Sequence, residues 1–510
     1  MVSKKMDFGG SRDVISGLPE ALICHILSFL TTKEAASTSV LSSKWRYLFA
    51  SVPNLNFDDS VYLDPRIQRR VHQQGLNVSP SFMDFVDRVL ALQGNSHVHK
   101  FSLKIQAGND PVDPTRIFRW ILSVLARGVS DLDLCIDLGT KSLLPSEVFK
   151  SETLVRLKLD IGCGPYVDVG DVYLPKLKAL HLECSFENRE CGLTKLLSGC
   201  LMLEDLVLHT TNWFSLGFTS VSVTTLKRLT YSWELRDYNP ESVSFDTPNL
   251  VYLEFTDTIS EVYPKVNFES LVEARIYLRM SVDQAAATQF LQEASFSELQ
   301  IYYSEGNQEN KMVGNATDFI MGLRNVKILY LSADTLEVLT YCCEVIPLFN
   351  NLTQLTIESK PEVGWQSLPG LLKNSPNLET LVLQGLVHKV TDKCGEVCVC
   401  NGEEEDAITT CLSSSPVKVL KIMKFGEIYD GKIEKHLRHR LLNNKTQRKI
   451  EKQIEQVEYF LELMPNLEQV ILYYGTSFEE YVTEVSTQLQ RLPRVASLKC
   501  NVQLISDHSN

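Results

Sequence analysis

The chain has 510 residues, of which 44% are hydrophobic and 22% charged, with a formal net charge of −13 at pH 7. That length exceeds one ordinary core, so several modules or an elongated repeat array are expected. The acidic balance argues against general nucleic-acid binding, which needs a positive footprint. No run of 18 apolar residues is present to span a bilayer, and MVSKKMDFGGSRD at the start lacks the apolar segment of a secretory signal. The 13 cysteines are scattered and odd in number, which reads as reduced, buried thiols, and a location in the nucleus and/or cytoplasm is expected.

The first folded stretch runs from Asp13 to Phe57 and reads as three short helices. Pro19 suits the first position of a helix, where a missing N–H costs nothing. Leu22, Ile23, Ile26, Leu27 and Leu30 then form an apolar stripe wide enough to meet two neighbours. Thr31 and Glu34 have the spacing of a capping box, which predicts a second helix from about Thr32. Ser42 or Ser43 can cap a third, carrying Trp45, Leu48 and Phe49. A unit this small buries little surface by itself, yet it carries many large apolar residues. Spacing alone leaves two readings open: a docking unit waiting for a partner, or an end cap for the domain behind it.

Leu63–Ser79 is polar and reads as a linker or surface loop. Phe82–Leu92 and Ile117–Leu125 then read as amphipathic helices, each followed by a strand, at Val98–Ile105 and Leu132–Ile136. From Leu154 the chain repeats itself. The pattern L-x-x-L-x-L starts at 154, 177 and 203, with weaker or substituted copies at 226, 250, 271, 326, 352, 378, 417 and 467. Neighbouring starts are mostly 23–26 residues apart, within the leucine-rich-repeat range. The gap from 271 to 326 leaves room for a degenerate copy near Phe296–Tyr303. In each L-x-L the two apolar side chains share one face of a strand and the middle residue points to the other. Stacking then gives a continuous core beneath a parallel sheet. Stretches such as Thr194–Cys200 and Leu368–Lys373 read as the intervening helices, and Pro-Asn-Leu at 248–250, 376–378 and 465–467 marks the passage into the next strand.

Cys394, Cys398, Cys400 and Cys411 invite a metal reading, but C-x-C on a strand sends its thiols to opposite faces, and zinc prefers two well-spaced pairs. An ordered loop with free thiols is expected instead, with no metal and no cofactor. A strand at Val417–Lys424, a helix from about Ile433 to Leu463 and a strand at Leu467–Tyr474 come next. Between 432 and 452 that helix carries Lys432, Lys435, Arg438, Arg440, Lys445, Arg448, Lys449 and Lys452. This reads as a solvated basic face, with a localisation signal or acidic-partner patch as the other reading.

Leu18-Pro19-Glu20, Ile26-Leu27, Leu30, Thr32-Lys33-Glu34-Ala35, Ser39-Val40-Leu41-Ser42 and Lys44-Trp45-Arg46 together resemble the plant form of the F-box. The departures are Thr31, where the family usually has Pro, and Phe49, where plant members usually have Trp. His388–Gly395, Ser415-Pro416-Val417-Lys418, Phe460-Leu461 and Met464–Glu468 resemble the FBD segment that closes many plant F-box/leucine-rich-repeat proteins. The resemblance implies an α/β architecture: an N-terminal three-helix F-box, a curved leucine-rich-repeat solenoid, and an FBD-type closure. The expected divisions are residues 10–57, a linker with degenerate repeats over 58–150, repeats over 151–386, the FBD-like segment over 387–485, and a C-terminal strand and tail over 486–510. It also implies docking on the Skp-family adaptor of a cullin–RING ubiquitin ligase. The matching positions are Leu18, Pro19, Leu22, Ile26, Leu27, Leu30, Leu41 and Trp45.

The sequence has no G-x-S-x-G, H-E-x-x-H, P-loop or G-x-G-x-x-G motif, so a non-catalytic adaptor is expected. The alternatives are a scaffold acting without a ligase and a small-ligand receptor. A target protein is expected on the face opposite the leucines, where Arg156, Lys158, His181, Asp205, Arg228, Tyr252, Glu254, Tyr277, Tyr330, Gln354 and Thr356 point. No membrane or nucleic-acid partner is expected.

Overall fold

A computed structural model of the chain describes residues 17–59, 80–106, 113–137, 144–161, 166–167, 169–183, 185–186, 192–210, 218–233, 239–293, 314–389, 394, 397–399, 411–427, 442–475, 478, 481–492 and 500–507. Two compact units divide at Trp213/Phe214.

The first unit opens with a helix at Glu20–Leu27, with Pro19 as its N-cap rather than its first residue. The helix at Thr32–Ser37 begins where the spacing predicts. The Thr31 side chain accepts from the Glu34 N–H, and the Glu34 carboxylate accepts from the Thr31 N–H at 2.9 Å. The third helix differs from expectation. Trp45–Ser51 is a 3-10 helix whose N-cap is Lys44, and no serine side chain caps it. Its tighter turns bury Trp45, Leu48, Phe49 and Ala50 against the other two helices.

Directly after it comes a strand that the three-helix reading did not contain. Asn54–Asp58 pairs in parallel with Lys100–Gln106, which continues through Asp131–Asp137, Arg156–Asp160 and Ala179–Glu183 to Asp205–Thr210. Two apolar ladders run through this register. Leu55, Phe101, Leu132, Leu157, Leu180 and Leu206 are opposite one another in turn, as are Phe57, Leu103, Leu134, Leu159, Leu182 and Leu208. All twelve are at most 1% exposed, and burying each contributes roughly 1.5–3 kcal/mol. The array therefore begins at Asn54, ahead of the helix Pro80–Gln93. That helix and Pro114–Ala126 pack beneath the sheet, joined by Trp120 Nε1 donating to Asp87 at 2.6 Å and by Arg116 bonded to Asp84 at 2.8 Å. The linker expected at Leu63–Ser79 lies outside the described residues.

The second unit repeats the scheme. Parallel strands run through Arg228–Trp233, Tyr252–Thr258, Glu273–Arg279, Ile328–Leu331, Gln354–Glu358, Thr380–Gln384, Val419–Met423, Gln469–Tyr474 and Asn501–Ser506. Every repeat start read from 154 onward leads into one of the strands of the two units. The gap before 326 adds none. Glu273 is opposite Ile328, so no strand intervenes, and the gap holds the helix Val282–Glu293 instead. Phe296–Tyr303 lies outside the described residues.

Where helices back the sheet elsewhere, Phe218–Ser222, Ser242–Asp246 and Val266–Asn267 form a second, three-stranded parallel sheet. Their short apolar alternations, such as Val243 and Phe245, suit a strand better than a helix. Phe245, Phe255, Phe268 and Phe319 fill the space between, with ring centroids 4.9–6.3 Å apart. Asp257 is fully buried beside this core. Its Oδ1 accepts from the Thr258 N–H at 2.7 Å, its other oxygen has no hydrogen-bond partner, and burial pushes its carboxyl up to about 8.

The long helix is described over Leu442–Leu463, whereas the onset expected at Ile433 lies outside the described residues. It turns Ile450, Ile454, Val457, Phe460 and Leu461 inward. Gln456 ties it to the cysteine-bearing turn, donating to the Val397 carbonyl at 2.9 Å. In that turn Cys394 and Cys398 are buried, and His388 Nε2 is 3.1 Å from the Cys398 sulfur. Among the described residues no grouping of three or more His, Cys, Asp or Glu could hold a metal, and no helix is long and apolar enough to cross a membrane.

Candidate functional site

Two surfaces carry the residues singled out from the sequence. The first is the outer face of residues 18–47. The helix Glu20–Leu27 has two apolar sides. Ile23 and Leu27 are at most 1% exposed and pack inward, while Leu22 is 50% and Ile26 45% exposed. Phe29, Leu30, Val40, Leu41 and Tyr47 extend this outer apolar surface at 77%, 38%, 85%, 65% and 61% exposure. The concentration is unusual, because soluble monomers rarely leave large apolar side chains contiguous in water.

Of the eight residues expected here, Pro19, Leu22, Ile26, Leu30 and Leu41 are exposed, and Leu18 is half-buried with its carbonyl accepting from Lys44 Nζ at 2.6 Å. Leu27 and Trp45 are not on the face: at 1% and 4% exposure they form the interior that holds the face in shape. Phe29, Val40 and Tyr47 were missed. Phe29 lies in the turn after the first helix, and Val40 and Tyr47 in short 3-10 helices, where the α-helical period assigns no side.

The inner helices are anchored to the sheet. The Thr32 side chain accepts from the Asn56 N–H at 2.8 Å, and Gln93 Nε2 donates to the Val52 carbonyl at 2.9 Å. The helices thus have two different sides: Thr32–Ser37 covers the first strand, while Glu20–Leu27 leaves Leu22 and Ile26 exposed.

The second surface is the sheet face opposite the leucines. In the first unit it carries Arg156, exposed, and Lys158, His181 and Asp205, half-buried. Lys158 is opposite His181. His181 also meets His209, with ring centroids 5.3 Å apart; burial and the nearby Lys158 lower its pKa. In the second unit Arg228 is exposed and lies over the Tyr252 ring, with its Cζ 4.2 Å from the centroid. Tyr252 donates its hydroxyl to Glu254 at 2.8 Å, and burial followed by that bond pushes the phenol up to about 12. Tyr277 and Tyr330 meet with ring centroids 5.2 Å apart. Burial raises both phenols; Glu254 and Glu358 raise Tyr277 further, and Glu358 raises Tyr330. Gln354 is half-buried, but Thr356 is only 7% exposed and lines no open surface. Glu273, Arg275 and Glu358 also belong to this face and were not singled out.

Comparison with known proteins respects the same division. Residues 15–57 match the F-box domain family, and residues 117–270 match the leucine-rich repeats of the FBD-associated F-box protein At5g56370. The chain is 60% identical to the F-box/LRR-repeat protein At4g14096 of Arabidopsis thaliana, over 99% of this chain and 97% of that protein. It is 53% identical to the F-box/LRR-repeat protein At3g59200 of the same plant, over 99% and 90%. With At3g59210, also of Arabidopsis thaliana, the identity is 52%, over 98% and 95%. With the F-box matched at its N-terminus, repeats matched behind it, and identities above one half along nearly its whole length, the chain belongs to the F-box/leucine-rich-repeat protein family.

Proposed function

We propose that the chain is the target-recruiting subunit of an SCF-type cullin–RING ubiquitin ligase. Its outer F-box face binds a Skp-family adaptor, and its sheet faces bind the protein to be ubiquitinated. It performs no covalent chemistry itself; its contribution is proximity, holding a target's lysines near a charged ubiquitin carrier supplied by the complex. A nuclear and/or cytoplasmic site of action accompanies this reading.

The observation that carries it is the apolar face of Leu22, Ile26, Phe29, Leu30, Val40, Leu41 and Tyr47, held open by helices whose opposite sides are already buried. Covering exposed leucines is worth up to roughly 1.5–3 kcal/mol each. Capture of the purified chain by an immobilised Skp-family adaptor is the test. Leu22→Ala, Ile26→Ala and Leu41→Ala combined should abolish capture while leaving the melting temperature close to wild type, because all three side chains are exposed. Undiminished capture by that triple variant sinks the proposal.

A further inference from the structure

On the strands of the second unit from Arg228 to Glu358, each cationic side chain has a partner, whereas two carboxylates have no cationic one among the described residues. The strands Arg228–Trp233, Tyr252–Thr258, Glu273–Arg279, Ile328–Leu331 and Gln354–Glu358 carry three cationic side chains: Arg228, Arg275 and Arg279. Arg228 lies over Tyr252. Arg275 Nε donates to Glu273 at 3.1 Å, and Arg279 Nη2 donates to the Trp233 carbonyl at 2.8 Å. Glu254 and Glu358 have no cationic partner among the described residues. Among the described residues Glu254 accepts from the neutral Tyr252 hydroxyl at 2.8 Å and Glu358 from the Ala333 N–H at 3.3 Å, one oxygen of each carboxylate in each case.

Between these two carboxylates stand Tyr277 and Tyr330, half-buried and in ring contact. Glu254 is opposite Arg275, which is in turn opposite Tyr330, so the group spans adjacent strands. Tyrosine faces attract cations, as Arg228 over Tyr252 demonstrates within this same group. Beyond it Thr356, Val382 and Ile471, at the middle positions of their strands, are only 7–8% exposed, with the half-buried Lys421 between the last two.

We propose that this group is the recognition site for a lysine or arginine side chain of the target protein, seated on the Tyr277–Tyr330 pair between Glu254 and Glu358. This rests on the reading of the chain as a target-recruiting subunit and names the target's chemistry: a basic segment. Burial raises the phenols of Tyr277 and Tyr330; Glu358 adds to both and Glu254 to Tyr277, while the nearby Arg275 opposes them.

The test uses the full chain and fluorescence anisotropy, with a labelled Gly-Ser peptide bearing three lysines and a matched peptide bearing three glutamates. The lysine peptide should bind and the glutamate peptide should not. Glu254→Gln with Glu358→Gln should weaken the lysine peptide about tenfold. Glu261→Gln with Glu269→Gln, removing the same charge from exposed positions elsewhere, should leave it unchanged. Equal weakening by both pairs means that the peptide senses only overall charge, and that overturns the inference, as does equal binding of both peptides. Adaptor capture by the E254Q/E358Q chain is measured in parallel. Retained adaptor capture by the E254Q/E358Q chain with unweakened lysine-peptide binding overturns this inference alone, whereas undiminished capture by the L22A/I26A/L41A chain with the expected peptide results overturns the proposed function alone.

Discussion

Trp45 and Leu41 stand four residues apart in one motif and do opposite work. Trp45 is 4% exposed and Leu41 65%. Trp45→Ala opens a cavity among the three helices and should cost roughly 3–5 kcal/mol, read as a large fall in the melting transition of the first unit. Leu41→Ala should stay within about 0.5 kcal/mol of wild type in the same measurement. A second residue with a sharp signature is Asp257. Its folded pKa, about 8, is raised above the unfolded value, so the unfolded chain gives up the proton first as pH rises. Its neutral form is fully stabilising below the unfolded pKa, and that stability is lost as pH climbs toward 8. Asp257→Asn keeps the shape without the charge. The melting temperature of the variant relative to wild type should therefore rise between pH 5 and pH 8, and a constant difference across that window would contradict the assignment.

At the scale of elements, the bond from Asn56 N–H to the Thr32 hydroxyl couples a helix to a strand. Thr32→Val keeps the volume and removes the acceptor. It should raise amide exchange at Asn56 and lower stability by roughly 1–2 kcal/mol, since the side chain is buried and the N–H is left unmet. The sequence revealed most of these elements. The repeat strands were legible because an alternating L-x-L buried on one face has few other solutions, and the helix Thr32–Ser37 because Thr31 and Glu34 cap it reciprocally. The strand Asn54–Asp58 was not, although Leu55 and Phe57 alternate, because five residues at the end of a helical motif do not announce a partner 46 positions away. The three-stranded sheet was missed because long-range pairing, not local propensity, chooses strand over helix at 218–267. On the sites, much of the apolar face at residues 18–47 was readable, but not Phe29, Val40 and Tyr47, nor that Leu41 faces outward while Leu27 and Trp45 are buried. The partners Glu273, Arg275 and Glu358 became apparent only once register placed them beside Tyr252 and Tyr330.

At the scale of the molecule, the F-box and the repeat array share material. The family match ends at residue 57, inside the strand Asn54–Asp58. A chain beginning at residue 59 loses Leu55 and Phe57 and bares the edge of Lys100–Gln106. It should self-associate on size exclusion with light scattering, whereas a chain beginning at residue 52 keeps the strand and should remain better dispersed. The same shared strand makes the first unit a measuring rod. The His99 N–H bonds the Pro53 carbonyl at 2.8 Å and the Asn56 N–H bonds Thr32, so the helices of residues 19–47 are tied directly to the first row of the sheet. Each further strand of the first unit is one graduation of about 4.8 Å. Under the proposed function, a target held at a given graduation would sit at a fixed height above the outer apolar face, with no search by a loose tether. Glycines inserted between Ser51 and Asn54 would convert the rod into a leash, trading a fixed reach for a cloud of positions and diluting whatever the array holds.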